Sequence, residues 1–88
     1  MIEKILIVKN RAGIHARPAA LIAQTANKYA CEIIITRDDT SVNAKSIMGI
    51  ITMAAGYNTS LIVKANGTDE QEAVQALEAL FDSKFAEE

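Results

Sequence analysis

Gly13-Ile14-His15-Ala16-Arg17-Pro18-Ala19-Ala20 is where this 88-residue chain changes character. Before it, Ile2 to Val8 is rich in Ile, Leu and Val and reads as a strand, with Asn10-Arg11-Ala12-Gly13 as a loop. After it, the Ala-rich stretch from Ala16 to about Tyr29 reads as a helix. Ala19, Ile22, Ala23, Ala26 and Tyr29 recur there at helical spacing and form its buried stripe. Pro18 has no N–H, which is harmless only in a first turn, so it sets the helix start near residues 15–16. The only histidine of the chain, His15, therefore stands at a helix N-terminus.

Working outward, residues 32–37 form a β-branched run, Asp38-Asp39 a turn and residues 40–43 a returning strand, which together make a hairpin. Ser46 reads as the N-cap of a short helix over Ile47 to Ala55, with Gly56 near its C-cap. Ser60 to Ala65 is another strand and Asn66-Gly67 a turn. Thr68-Asp69-Glu70-Gln71 matches a capping box, with Thr68 as N-cap and Gln71 at the third helical position. The last helix then runs from about Asp69 to Lys84, with Ala73, Val74, Leu77, Leu80 and Phe81 on one face. This order predicts a single α+β domain over residues 1–88, one sheet with helices packed on one face. Ile33, Ile35, Leu61, Val63 and Ala65 should face the helices, and Ile34, Ile62, Ile5 and Ile7 should point away. That outer apolar set fits either simple β-propensity or a partner surface.

Composition narrows the function classes. Half the residues are hydrophobic, but the aromatics are only two tyrosines and two phenylalanines. A core of that kind in so short a chain leaves little room for a deep cofactor pocket, so no cofactor is expected and any chemistry belongs at the surface. The net charge is −2, and no basic stripe with interleaved aromatics argues for nucleic acid. No apolar run approaches the ~18 residues of a membrane span, and residues 1–9 carry no cleavage pattern. The single cysteine, Cys31, has no internal disulfide partner and reads as a small apolar residue at a strand edge. There is no P-loop, no cysteine–histidine pair and no metal-ligand cluster. A monomeric cytoplasmic protein is the expectation.

A lone histidine is ordinarily a surface or hydrogen-bonded structural residue. At a helix N-terminus the macrodipole disfavours the imidazolium and favours a neutral, nucleophilic ring. Once a phosphoryl group is attached the sign reverses, because free N–H donors and the dipole favour the dianion by roughly 0.3–2 kcal/mol. Arg17 opposes the dipole in the first turn, yet its planar cation suits phosphate oxygens. A locally unfavourable charge beside the only histidine points to phosphoryl chemistry.

The stretch Gly13-Ile14-His15-Ala16-Arg17-Pro18-Ala19 closely resembles the active-site motif of the HPr family, the histidine-containing phosphocarriers of the bacterial phosphoenolpyruvate:sugar phosphotransferase system. Val42-Asn43-Ala44-Lys45-Ser46-Ile47-Met48-Gly49-Ile50 resembles the regulatory-serine region of the same family. The resemblance covers nearly the whole chain. It implies the HPr-like open-faced sandwich, a four-stranded antiparallel sheet with three helices on one face. It implies that His15 accepts a phosphoryl group at Nδ1 from phosphorylated enzyme I and passes it to an enzyme II A-type domain, with Arg17 balancing the charge. The chain would then be a substrate of other enzymes and not itself an enzyme.

By the same resemblance the two helix starts are neighbours. Ala16, Ala20, Leu21 and Gln24 of the first helix, with Ile47, Met48 and Ile51 of the short one, would form an apolar docking patch ringed by Arg11, Arg17 and Lys45. Ile47 and Ile51 are equally compatible with core packing. Ser46 would be the target of an HPr kinase/phosphorylase in relatives that have one, its phosphate adding about −1.5 to −2 charge beside the patch. The chain departs from the family in places. Ala16 stands where enteric members have threonine, cations along the first helix are sparse, and Tyr57 and Asn58 are unusual. The ending Ala79-Leu80-Phe81-Asp82-Ser83-Lys84-Phe85 is closer to the nitrogen-related paralogues (NPr). The alternative is therefore a regulatory phosphorelay module controlling partners through His15, Ser46 or both.

Overall fold

A computed structural model describes residues 1–87; the last residue of the expected 1–88 domain lies outside the described residues. The elements run β1 (Ile2–Ile7), α1 (Ala16–Ala26), β2 (Glu32–Arg37), β3 (Thr40–Asn43), α2 (Ile47–Thr52), β4 (Ser60–Asn66) and α3 (Glu70–Asp82), followed by a short turn over Lys84–Ala86. The four strands form one antiparallel sheet in the order β1-β4-β2-β3. The helices cover one of its faces, giving the α+β open-faced sandwich.

The alternation of the strands decides which side is buried. Leu6 pairs with Leu61, Ile35 with Val63 and Ile33 with Ala65, and all six side chains point into the helices. Opposite them lie Ile22, Ile50, Leu77, Phe81 and Phe85, each essentially inaccessible. Removing such a side chain to Ala costs on the order of 2–5 kcal/mol. Ile5 and Ile62 face each other across the outer side, and Ile7 and Ile34 share that side. Only Ile5 is widely exposed there. Lys64, Thr36 and Asn43 stand between these residues and break the apolar set into small pieces.

Several local expectations are corrected. α1 ends at Ala26, where Asn27 caps it by donating Nδ2 to the Ala23 carbonyl, so Tyr29 lies past the helix and is only half-buried. α2 stops at Thr52, well before Gly56. Arg37 causes this from the end of β2: its Nη1 donates to the carbonyls of Met53 (2.6 Å) and Ala54 (3.0 Å). Met53 is the C-cap of α2, and its carbonyl is one that a helix end leaves unpaired. Ala54, not Gly56, takes the left-handed conformation, at φ 52°.

The Thr68 capping box does not form either. α3 starts after Asp69, and the Glu70 carboxylate reaches back to accept the Gly67 N–H. Asp69 turns its carboxylate away, to the Ala30 N–H (2.8 Å) and the Cys31 N–H (3.0 Å), tying the loop after α1 to the start of α3. At its other end α3 stops at Asp82. Lys84, Phe85 and Ala86 then all adopt positive φ, sending the chain back toward the start of α1.

Candidate functional site

His15 is the N-cap of α1, and its extended backbone makes no side-chain cap. The first bond of the helix runs from the Ala19 N–H to the His15 carbonyl. The N–H groups of Ala16 and Arg17 precede it and face out of the helix end, the position in which such groups receive an anion. Gly13 makes this entry feasible. Its φ is 76°, and a Cβ there would lie 2.8 Å from the Ala55 carbonyl oxygen. That close approach lets the Ile14 N–H donate to the same oxygen at 2.8 Å, which fixes the loop carrying His15 against the end of α2.

The His15 side chain is 46% exposed and does not stand alone. Its Nε2 lies 2.9 Å from Oε2 of Glu87. The other oxygen of Glu87 accepts from Nδ2 of Asn10 at 2.9 Å, and the same Nδ2 donates to the Gly13 carbonyl at 2.7 Å. Asn10 is fully buried. Arg17 donates Nη1 to the Phe85 carbonyl at 2.8 Å and approaches Glu87 Oε2 at 3.6 Å. Phe85 is buried edge-on to Phe81, with ring centroids 4.9 Å apart. The Asn10 hydrogen bond is the main cause holding the Glu87 carboxyl below its usual range; His15 and Arg17 act in the same direction, against partial burial.

Glu87, Asn10 and Phe85 carry no sequence signal for this role. Glu87 meets His15 across 72 positions of chain, and only the left-handed turn after α3 brings it back. A helix read through Lys84 hides that turn.

The structure also rearranges the expected surroundings of Ser46. Its Oγ accepts the Gly49 N–H at 3.1 Å, as an N-cap does. The start of α2, however, lies against the end of α1. Asn27 donates to the Lys45 carbonyl, and Nζ of Lys45 donates to the Tyr29 carbonyl. Since the start of α1 is docked on Ala55, past the other end of α2, the two helices run in opposite senses and their starts are not neighbours. Ser46 is separated from His15 by about the length of α1, roughly 16 Å at 1.5 Å per residue. Lys45 is bound at that far end, and Arg17 turns toward Phe85, so these two cations do not ring one patch with Arg11.

The proposed docking residues lie on packed neighbours, α1 and α2. Ala16 and Gln24 are exposed, while Ala20, Leu21 and Ile51 are half-buried. Met48 is 70% exposed and Ile47 42%, because Ile50 alone supplies the fully buried anchor of α2. Cys31 is buried, and burial, with Asp69 beside it, pushes its thiol pKa up.

Comparison with known proteins agrees with this geometry. The family described as the PTS HPr component phosphorylation site matches residues 2–83, a span that includes His15 and Ser46 and excludes Glu87. The phosphocarrier protein HPr of Treponema pallidum is 51% identical over 88 residues, covering all of both chains. The HPr-like protein Crh of Halalkalibacterium halodurans is 45% identical over 84 residues, 96% of this chain and 100% of its own. A crystal structure of HPr from Thermoanaerobacter tengcongensis superposes with a TM-score of 0.96 at 46% identity, covering 100% of this chain and 99% of that one. By sequence, by fold and by the helix that carries its only histidine, the chain belongs to the HPr family of the phosphotransferase system.

Proposed function

We propose that this chain is a cytoplasmic phosphocarrier in which His15 accepts a phosphoryl group from phosphorylated enzyme I and passes it to an enzyme II A-type domain. The observation that carries this reading is the half-exposed His15 ring at the open N-terminus of α1, beside the Ala16 and Arg17 N–H groups. In-line transfer between two proteins needs an imidazole that both can reach. A shallow site suits a group that must be handed on, since deep stabilisation would slow its release. On this reading the chain is a substrate of its partners, not an enzyme, and acts as a single domain and a monomer. Arg17 keeps a half-exposed guanidinium with donors beyond the one given to Phe85, available to phosphoryl oxygens. Docking falls to the α1–α2 surface, chiefly Met48, Ile47, Leu21 and Ala20. A small surface of this kind fits transient encounters.

The test is incubation with phosphoenolpyruvate and enzyme I. Acid-labile phosphate is expected on the wild type and none on His15→Ala; equal incorporation into both refutes the reading. A second, regulatory reading rests on the separation of Ser46 from His15. A phosphate added by an HPr kinase/phosphorylase at Ser46 would lie beside Ile47 and Met48, and would act on docking while leaving the imidazole untouched.

A further inference from the structure

We infer that Glu87 is a positioning residue for phosphoryl transfer: its carboxylate assigns the His15 ring proton to Nε2 and leaves the Nδ1 lone pair as the nucleophile. An ionised carboxylate only accepts hydrogen bonds, so the hydrogen in the 2.9 Å contact belongs to Nε2. Among the described residues nothing hydrogen-bonds Nδ1. The placement of the carboxylate is built, not incidental. The fully buried Asn10 holds Oε1, and the fully buried Phe85 anchors the chain two residues earlier. Three consecutive non-glycine residues accept left-handed backbone, which deliver the segment to the site. Arg17 reinforces the arrangement through the Phe85 carbonyl.

The chemistry follows from the proton's location. The Nδ1 lone pair attacks the phosphorus of a protein phosphohistidine donor. The Nδ1–P bond forms as the donor N–P bond breaks, and the donor nitrogen keeps that electron pair. The His15 ring, still protonated at Nε2, is left with a positive charge, and Glu87 Oε2 sits against it. The second oxygen of Glu87 is committed to Asn10, so the carboxylate stays in place during the step.

The inference rests on His15 as the phosphoryl acceptor, and its test begins with the unphosphorylated protein so that the two stand or fall separately. Ring ¹⁵N spectra of the full chain, taken where the imidazole is neutral, should show Nδ1 unprotonated and an Nε2 proton protected from exchange. Glu87→Gln, whose amide oxygen still accepts, should keep both features. Glu87→Ala should lose the protection and move toward a mixture of tautomers. Enzyme I-driven phosphorylation of Glu87→Gln should slow about fivefold in kcat with KM unchanged, the scale of one partly exposed charge pair. An Nε2 proton exchanging equally fast in wild type and Glu87→Ala overturns the inference, as does an unchanged kcat in Glu87→Gln. Absence of phosphate from the wild type would instead overturn the assignment of His15.

Discussion

Ser46 shows how one hydroxyl serves two ends. It caps α2 through the Gly49 N–H, and it borders the most exposed apolar side chain of that helix, Met48. Ser46→Ala should lose about 1 kcal/mol of unfolding free energy. Ser46→Asp keeps an N-cap acceptor and adds charge where the helix dipole tolerates it, so its stability should stay near wild type. With enzyme I, Ser46→Asp should raise KM and leave kcat unchanged, because the charge meets the partner and lies far from the imidazole. A fall in kcat at constant KM would show that Ser46 couples to His15 directly. Gly13 has the opposite character: it contributes no side chain at all. Its positive φ and its contact with Ala55 let the histidine loop lie flat on the end of α2.

At the scale of elements, carboxylates do the joining. Asp69 links the loop after α1 to the start of α3, and Glu87 links the segment after α3 to the start of α1. Both have lowered pKa values, Asp69 chiefly through the Ala30 N–H and Glu87 chiefly through Asn10. A carboxyl whose folded pKa lies below its unfolded one contributes stability that is present above the usual carboxylate range, about pH 4. That contribution is lost as the pH falls through the folded value. Thermal unfolding between pH 7 and pH 2.5 should therefore show an acid limb. Asp69→Ala should melt lower than wild type at pH 7, and the gap should close as the medium is acidified below about pH 4. A gap that stays constant down to pH 2.5 would mean that the ionised carboxylate is not what holds the loop.

Across the whole molecule, the legible features were those written in local periodicity. The alternation of Ile33 and Ile35, and of Leu61, Val63 and Ala65, gave the buried side of the sheet, and Pro18 located the start of α1. The Asp38-Asp39 turn marked the hairpin. Local signals fail where a distant group overrides them. Gly56 is a good helix stop by composition, but Arg37 reaches across from β2 and closes α2 earlier. Thr68 and Gln71 match a capping box, but Asp69 is claimed by Ala30 and Cys31, and Glu70 takes the loop amide. The resemblance to the family does not extend to the relation of the two helix starts, which the antiparallel packing of α1 and α2 sets. Glu87 lies where no pattern in the chain connects it to His15.

All of this converges on one nitrogen. The most direct measurement is ³¹P–¹⁵N correlation on ¹⁵N-labelled protein phosphorylated by enzyme I. A single phosphoramidate signal coupled to Nδ1 of His15 is expected, with Nε2 still protonated. Coupling to Nε2, or an acid-stable phosphate elsewhere in the chain, would contradict it.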